Sequence, residues 1–203
     1  MKQNIKIILA SGSPRRRELL EQEGLEFSIL VSDVDESTDI TEPDKVVAEL
    51  SRRKCIASVK EYIKTTGNKE DVLVVSADTV VALDGRVIGK PKDEKEALDI
   101  LMSLSGKTHD IYTGVCCIYI SGDSNEEVIA FTERTGVKMY SFDEAEAIDY
   151  IKTGEPMDKA GAYGIQGIGA RLVERIEGDY NNVVGFPLAE FIRSGIGRFF
   201  TFE

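Results

Sequence analysis

The unbroken aliphatic run Val72-Leu73-Val74-Val75 limits what this chain can fold into more than any other stretch. A strand with one wet face alternates apolar and polar residues, whereas a continuous run needs cover on both faces. The run therefore predicts a strand at the centre of an α/β sheet. Ile5-Lys6-Ile7-Ile8-Leu9-Ala10 reads as a second buried strand. Ala77-Asp78-Thr79 falls at the expected carboxyl end of the Val72 strand, where ligand sites of open α/β sheets gather. Asp78 is thus a candidate active-site group, although Asp and Thr also suit an ordinary turn.

Between the two strands, Ser13 suits a helix N-cap and Pro14 the first helical position, with Gly24 as the stop. Arg15-Arg16-Arg17 then sit at the positive end of the helix dipole, at a cost of roughly 0.3–1 kcal/mol each. A docked anion would turn that cost into attraction, through backbone N–H groups, serine hydroxyls and guanidinium forks. A solvated basic helix start is the plain alternative. Residues 27–31 read as a strand, followed by the acidic loop Asp33-Val34-Asp35-Glu36. Thr41-Glu42-Pro43-Asp44 carries a capping-box pattern and opens a helix to about Ile63. Lys54 shares an apolar stripe of that helix with Val47, Leu50 and Ala57, so its ammonium either snorkels to solvent or points into a cleft.

Residues 65–71 form a polar connection, and Asp84-Gly85 favours a two-residue hairpin turn. Asp93 to Glu96 caps a helix ending near Gly106, and residues 109–120 and 128–140 read as long strands joined at residues 121–125. Ser141 to Glu144 reads as a further capping box, with its helix stopping at Gly154. The glycine-rich stretch from Gly161 to Gly169 lacks the spacing of a dinucleotide fingerprint or a P-loop. It suits a backbone that approaches a ligand closely, and equally a mobile turn. A strand near Leu172-Val173 and a helix from Pro187 complete an α/β pattern with a mixed sheet.

With 203 residues there is length for one large domain or two small lobes. The formal net charge of −11 argues against a nucleic-acid groove or an anionic membrane surface as the main partner. It also makes the basic helix start a local exception that a bound cation would assist. The first apolar run is too short for a secretory core, and no stretch approaches the ~18–20 apolar residues of a membrane span. Cys55, Cys116 and Cys117 have neither zinc nor CxxC spacing and read as reduced core thiols of a cytoplasmic protein. His109 is the single histidine and has no nucleophile elbow beside it, which disfavours a Ser-His-Asp triad.

Several of these stretches stand in an order that resembles the Maf family: Ser11-Gly12-Ser13-Pro14-Arg15-Arg16-Arg17-Glu18-Leu19-Leu20, Asp35-Glu36, Lys54, Ala77-Asp78-Thr79 and Gly89-Lys90-Pro91. Glu155-Pro156-Met157-Asp158-Lys159-Ala160-Gly161-Ala162-Tyr163-Gly164-Ile165-Gln166-Gly167 and Val183-Val184-Gly185-Phe186-Pro187-Leu188 continue it, so the resemblance runs from about Ile5 to Leu188. It implies an α/β fold with a mixed, elongated sheet, flanking helices and a deep cleft between two lobes, similar to inosine triphosphatases. Residues 1–203 would then be one domain with two lobes around one cleft, and a homodimer is expected from the family.

The family is described as inhibitors of septum formation and as nucleoside triphosphate pyrophosphatases that cleave between the α- and β-phosphates. The resemblance implies catalytic roles for Asp78, Glu36, Lys54 and Lys90, and substrate binding by Ser13, Arg15, Thr79 and Gln166. Glu36 and Asp78 would hold a divalent cation, Mg²⁺ or Mn²⁺, which offsets the substrate's charge and lowers the pKa of a bound water. Thr79 and Gln166 match positions linked to base selection; a glutamine offers the donor and acceptor that a uracil or thymine edge requires. The paired Arg15-Arg16 and the Ile165-Gln166-Gly167 segment resemble the branch acting on dTTP and UTP, with modified uridine triphosphates also plausible. Preference for 7-methyl-GTP or another purine nucleotide, and nucleotide binding without turnover, are the competing readings. Ser76 and Cys55 depart from the family pattern, which has glycine and alanine there.

Overall fold

A computed structural model describes residues 2–67, 70–122 and 125–201, so the turn expected at residues 121–125 lies partly outside them. In chain order the strands and α-helices are β1 (Lys2–Gln3), β2 (Lys6–Leu9), α1 (Pro14–Gln22), β3 (Phe27–Ile29), α2 (Pro43–Thr66) and β4 (Val72–Leu83). There follow β5 (Arg86–Ile88), α3 (Glu94–Leu104), β6 (Thr108–Ile120), β7 (Glu126–Met139) and α4 (Glu144–Ile151). Short 3₁₀ turns then lead to β8 (Val173–Glu177), α5 (Tyr180–Val184), α6 (Leu188–Arg193) and β9 (Phe200–Thr201).

The Val72 run is indeed central, but it does not stop before Asp78. β4 continues for 12 residues, and Asp78 and Thr79 pair with Gly114 and Thr113 of β6 in mid-strand. The reading of Ala77-Asp78-Thr79 as a strand end is therefore corrected. What does end there is the neighbouring strand. β2 runs parallel to β4 only as far as Leu9, opposite Val75. β5 then joins β4 in antiparallel pairing from Val81 onward. Since β6 pairs with β4 from Val72 to Ala82, β2 and β5 must share the other edge. Residues 76–80 are left between them without a strand partner on that side.

The whole sheet has seven strands, in the order β3-β2-β4-β6-β7-β8 with β5 alongside β4. The β2–β3 and β2–β4 pairs are parallel and the rest antiparallel, which makes the mixed α/β sheet that the sequence suggests. Alternation along β4 buries both faces. Leu73, Val75 and Ala77 pack with Leu9, Leu20, Phe186 and Phe191, while Val72 and Val74 pack with Cys55, Val59 and Tyr62 of α2. The second face is the one that carries Ser76, Asp78 and Val80, so Asp78 and α2 are on the same side of the sheet. Beyond Val80 a separate apolar cluster joins Val81, Leu101, Leu104, Ile111, Met139, Tyr150 and Tyr163.

Three helix starts differ from expectation. Ser13 is the N-cap of α1, but its hydroxyl makes no capping bond. Glu42, not Thr41, caps α2, again without a side-chain capping bond, and its carboxylate pairs with Lys45 at 2.7 Å. α2 also extends to Thr66 and is closed by Gly67 at φ 73°, so part of the expected polar connection is helix. The capping box of α4 is formed by Asp143 and Glu146 rather than Ser141 and Glu144. Several acceptors lie within a few residues at each start, and backbone geometry selects among them. The cap at Asp93 stands as expected, and so does the hairpin turn at Asp84-Gly85, whose two residues both have positive φ.

α2 comes against the sheet at Gly114 of β6, the residue opposite Asp78. A Cβ there would press into the carbonyl of Val47 and lie 2.9 Å from the Ala48 nitrogen. Neither obstacle is a flexible side chain. Gly114→Ala is therefore expected to destabilise the fold by about 1–3 kcal/mol. Urea unfolding reads this directly; an unchanged midpoint would mean that α2 can lift off the sheet at no cost.

Candidate functional site

Lys54 leaves α2 one turn before Ser58 and, despite its place on a helix packed over the sheet, points inward. Its ammonium is 2.5 Å from Asp78 Oδ1 and 2.8 Å from Glu36 Oε1. This settles the choice left open by the sequence in favour of a cleft. The two carboxylates differ in setting: Asp78 is buried on β4, while Glu36 is on an exposed loop with its side chain 60% accessible. The loop is tied to α2 by Arg53, which donates to the carbonyls of Asp35 and Ser37 at 3.2 and 2.8 Å.

Immediately behind these groups, the two departures from the family pattern join helix to strand. The Ser76 hydroxyl lies 2.7 Å from the Ser51 carbonyl and 3.1 Å from that of Cys116. Cys55 Sγ donates to the Val74 carbonyl at 3.4 Å. All three cysteines are buried and free, as expected of core thiols.

The three consecutive arginines have three separate fates. Arg17 faces out and pairs with Glu21 at 3.7 Å, an exposed contact of little energetic weight. Arg16 turns inward and uses its whole fork: Nε donates to the Gly185 carbonyl at 2.8 Å, and the terminal nitrogens donate to Ser11 Oγ at 3.1 Å and Thr79 Oγ1 at 3.0 Å. Burial pushes its guanidinium down to about 10, against the pull of Asp78, so it is still charged at neutral pH. Arg15, between them, lines the cleft. The first-turn arginines are thus only partly a solvated helix start.

Arg16 also occupies Thr79. The Thr79 hydroxyl accepts from Arg16, stands 2.9 Å from Thr113 Oγ1 and lies 3.4 Å from the Gly185 carbonyl. Arg16 was not singled out on its own from the sequence. The sequence signal was weak, since water satisfies an exposed guanidinium equally well: the first turn of α1 has no acidic residue to pair with.

A cleft of about 820 Å³ opens over the unpaired stretch of β4, within the roughly 300–1,000 Å³ typical of small-molecule sites. Ser13, Arg15, Glu36, Lys54, Asp78, Thr79, Lys90 and Gln166 all line it, so the structure brings together every site residue expected from the sequence. Arg16, Glu155, Asp158, Lys159 and Tyr163 line it too. Among the described residues no group of three or more His, Cys, Asp or Glu side chains is arranged to hold a metal. Of the four carboxylates that line the cleft, Asp78 and Glu36 are the two that share Lys54, each through one oxygen.

The glycine-rich stretch is built around an anion belonging to the chain itself. The Glu155 carboxylate accepts from the Tyr150 hydroxyl at 2.8 Å, from Ile168 N at 2.8 Å and from Gly169 N at 3.0 Å. Tyr150 Oη in turn accepts from Gly164 N at 3.1 Å. Burial works to raise the Glu155 carboxyl, but the Gly169 and Ile168 amides and the Tyr150 hydroxyl hold it below the usual range. A Cβ on Gly164 would lie 2.9 Å from Glu155 Oε1, and one on Gly167 would lie 2.6 Å from its Cδ. The close backbone approach that these glycines permit is thus already in use, without a ligand.

The sequence profile of the family described as Maf-like protein matches residues 6–194. A protein of Agathobacter rectalis named dTTP/UTP pyrophosphatase is 48% identical over 189 residues, covering 90% of this chain and 92% of that protein. One of Deinococcus radiodurans with the same name is 46% identical over 188 residues, covering 93% and 90%. Among solved structures, a nucleoside-triphosphatase / dITP/XTP pyrophosphatase of Mycobacterium abscessus is similar with a TM-score of 0.38 and 15% identity, covering 96% of this chain and 95% of that one. At that level the likeness says nothing about activity.

Behind the cleft, His109 Nε2 and the Tyr163 hydroxyl are 2.8 Å apart, and among the described residues the buried His109 Nδ1 has no hydrogen-bond partner. Burial pushes the imidazole down to about 4 from 6.5, only partly countered by Asp110. The unfolded chain takes up this proton near pH 6.5 and the folded chain near 4. The neutral ring therefore supports the fold fully above pH 6.5, and about 3 kcal/mol of that support drains away as pH falls to 4. Urea midpoints of the wild type and His109→Gln should converge over that window relative to their gap at pH 7. Parallel profiles would contradict the assignment.

Proposed function

Because the chain belongs to the Maf family, we propose that it is a metal-dependent nucleoside triphosphate pyrophosphatase acting on dTTP and UTP. The products are the nucleoside monophosphate and pyrophosphate. The observation that carries this reading is the cleft itself, which combines the carboxylates Asp78 and Glu36, bridged by Lys54, with the further cations Arg15, Arg16, Lys90 and Lys159. A triphosphate needs cations to bind and a carboxylate to handle the attacking water, and both are here. Relatives that share nearly half of their residues with this chain carry the name dTTP/UTP pyrophosphatase.

The donor set suits a hard divalent cation, since Mg²⁺ is commonly held by one or two carboxylates with phosphate oxygens and water completing its shell. Asp78 and Glu36 would hold it. When bound, Mg²⁺ or Mn²⁺ supplies charge neutralisation across the phosphates and acidifies water. The remaining work falls to the chain's own groups. Asp78 orients water and accepts its proton as the water oxygen bonds to the α-phosphorus. The bond from that phosphorus to the bridging oxygen breaks, and the electron pair leaves with pyrophosphate. Lys54 fixes the Asp78 carboxylate, while Lys90 and Arg15 receive the charge that develops on the leaving group. Ser13 and the start of α1 cradle phosphate oxygens, and Gln166 meets the base. Thr79 contributes to base selection by holding Arg16 in place.

In this reading residues 1–203 form one domain whose two lobes meet at the cleft. No described helix is long and apolar enough to cross a membrane. A cytoplasmic homodimer that removes surplus or modified pyrimidine nucleotides completes the proposal.

A panel of nucleoside triphosphates with Mg²⁺ or Mn²⁺, monitored by pyrophosphate release, tests the substrate. dTTP and UTP should turn over fastest, and faster turnover of purines would overturn the assignment. Asp78→Asn should lower kcat by about 10²–10⁴-fold while leaving a folded protein that still binds nucleotide. Undiminished turnover in that variant would remove Asp78 from the mechanism.

A further inference from the structure

Gln166 is the cleft residue with a neutral amide that can both donate and accept. It is exposed at the rim, and among the described residues its amide has no protein partner. A glutamine that can move and flip satisfies either of two complementary edges, donor for acceptor. Uracil and cytosine differ in that way at C4 and N3. A free amide would therefore read both alike, and discrimination requires that the backbone bearing it be held still. The structure supplies such a hold on both sides of Gln166.

On the N-terminal side, Gly164 N donates to Tyr150 Oη at 3.1 Å. On the C-terminal side, Ile168 N and Gly169 N donate to Glu155 at 2.8 and 3.0 Å. Tyr150 and Glu155 are themselves joined at 2.8 Å, so the five residues from Gly164 to Ile168 are pinned at both ends to one bonded pair. The pair is also fixed from below. Tyr150 is a buried residue of α4, and the Lys159 ammonium donates to the Glu155 carbonyl at 2.7 Å. Glycine at 164, 167 and 169 leaves no side chain that could keep the loop away from the Glu155 carboxylate or the Tyr150 hydroxyl.

We infer that Glu155 and Tyr150 are positioning residues for base recognition: they template the Gly164–Gly169 loop so that Gln166 presents one fixed amide to the base. The inference rests on the proposed reading of Gln166 as the base-contacting group. Neither Glu155 nor Tyr150 touches the reacting phosphates in this scheme. Their effect falls on the choice between nucleotides rather than on the chemical step.

The test compares kcat/KM for UTP with kcat/KM for CTP in the wild type, Gln166→Ala, Glu155→Gln, Tyr150→Phe and the double variant Glu155→Gln/Gln166→Ala. Glu155→Gln replaces an acceptor with a donor that faces the loop amides, and Tyr150→Phe removes a single oxygen and keeps the packing of α4. Each should lower the UTP/CTP ratio by about tenfold, mostly through KM for UTP, with the CTP value little changed. The double variant should be no less selective than Gln166→Ala alone, because both changes act through one amide. Faster amide hydrogen exchange in residues 164–169 should accompany the loss.

Parallel losses for UTP and CTP, additive effects in the double variant, or unaltered exchange would each overturn the inference. If Gln166→Ala lowers the ratio and the cradle variants do not, the cradle alone fails. A Gln166→Ala variant that keeps the wild-type ratio overturns the reading of Gln166 and the inference with it. Should Glu155→Gln not fold, Tyr150→Phe carries the same comparison.

Discussion

A strand has two edges, and the structure depends on how β4 uses its second one. β6 occupies the first edge from Val72 to Ala82, while the second is shared by β2 and β5, with residues 76–80 between them. A gap in the ladder at the middle of a sheet would ordinarily leave polar backbone buried without partners. Here it faces a cleft, and that is why Asp78, buried on a central strand, can still meet a ligand. The long antiparallel pairing with β6 keeps the strand laddered on its other edge through the gap. Gly114 lets α2 come close enough for Lys54 to reach across.

Around that gap the electrostatics are local and largely self-contained. A chain with formal charge −11 would repel a polyphosphate as a whole, so cations have to be held where they are needed. Lys54 is fixed by two carboxylates, Arg16 by a hydroxyl pair and a carbonyl, and Lys159 by the Glu155 carbonyl and Asp158. These three cations are therefore set in place by the chain itself, which reduces the ordering that binding must offset at them.

The sequence revealed the class of the fold because hydrophobic periodicity is a one-dimensional signal, and β4 announces its burial in four residues. It led to Asp78 for a reason that needed amendment: the strand that ends beside Asp78 is β2, a neighbour about 65 residues earlier in the chain. Pairing of that kind cannot be read along one segment. The expected cleft residues were legible mainly through resemblance to a family, and the structure places all eight along one cleft. Arg16 on its own and Glu155 were not expected as site residues, because their partners, Thr79, Gly185, Tyr150, Ile168 and Gly169, come together only in three dimensions. The helix starts near 41 and 141 failed at the level of a residue or two, where several side chains compete for the same amide.

The loop from Gly161 to Gly169 bears on how glycine-rich stretches are interpreted in any chain. Gly164, Gly167 and Gly169 answer to Glu155 and Tyr150, and Gly161 to Val81, all of them parts of the protein. Substituting them would first disturb the way the chain folds back on itself, whatever it binds. Lys54 and Asp78 could be replaced without touching these contacts, whereas a side chain at 164, 167 or 169 would collide with Glu155 or Tyr150. Persistence of such a pattern is therefore a record of architecture, and the charged residues that fill the cleft are the better record of use.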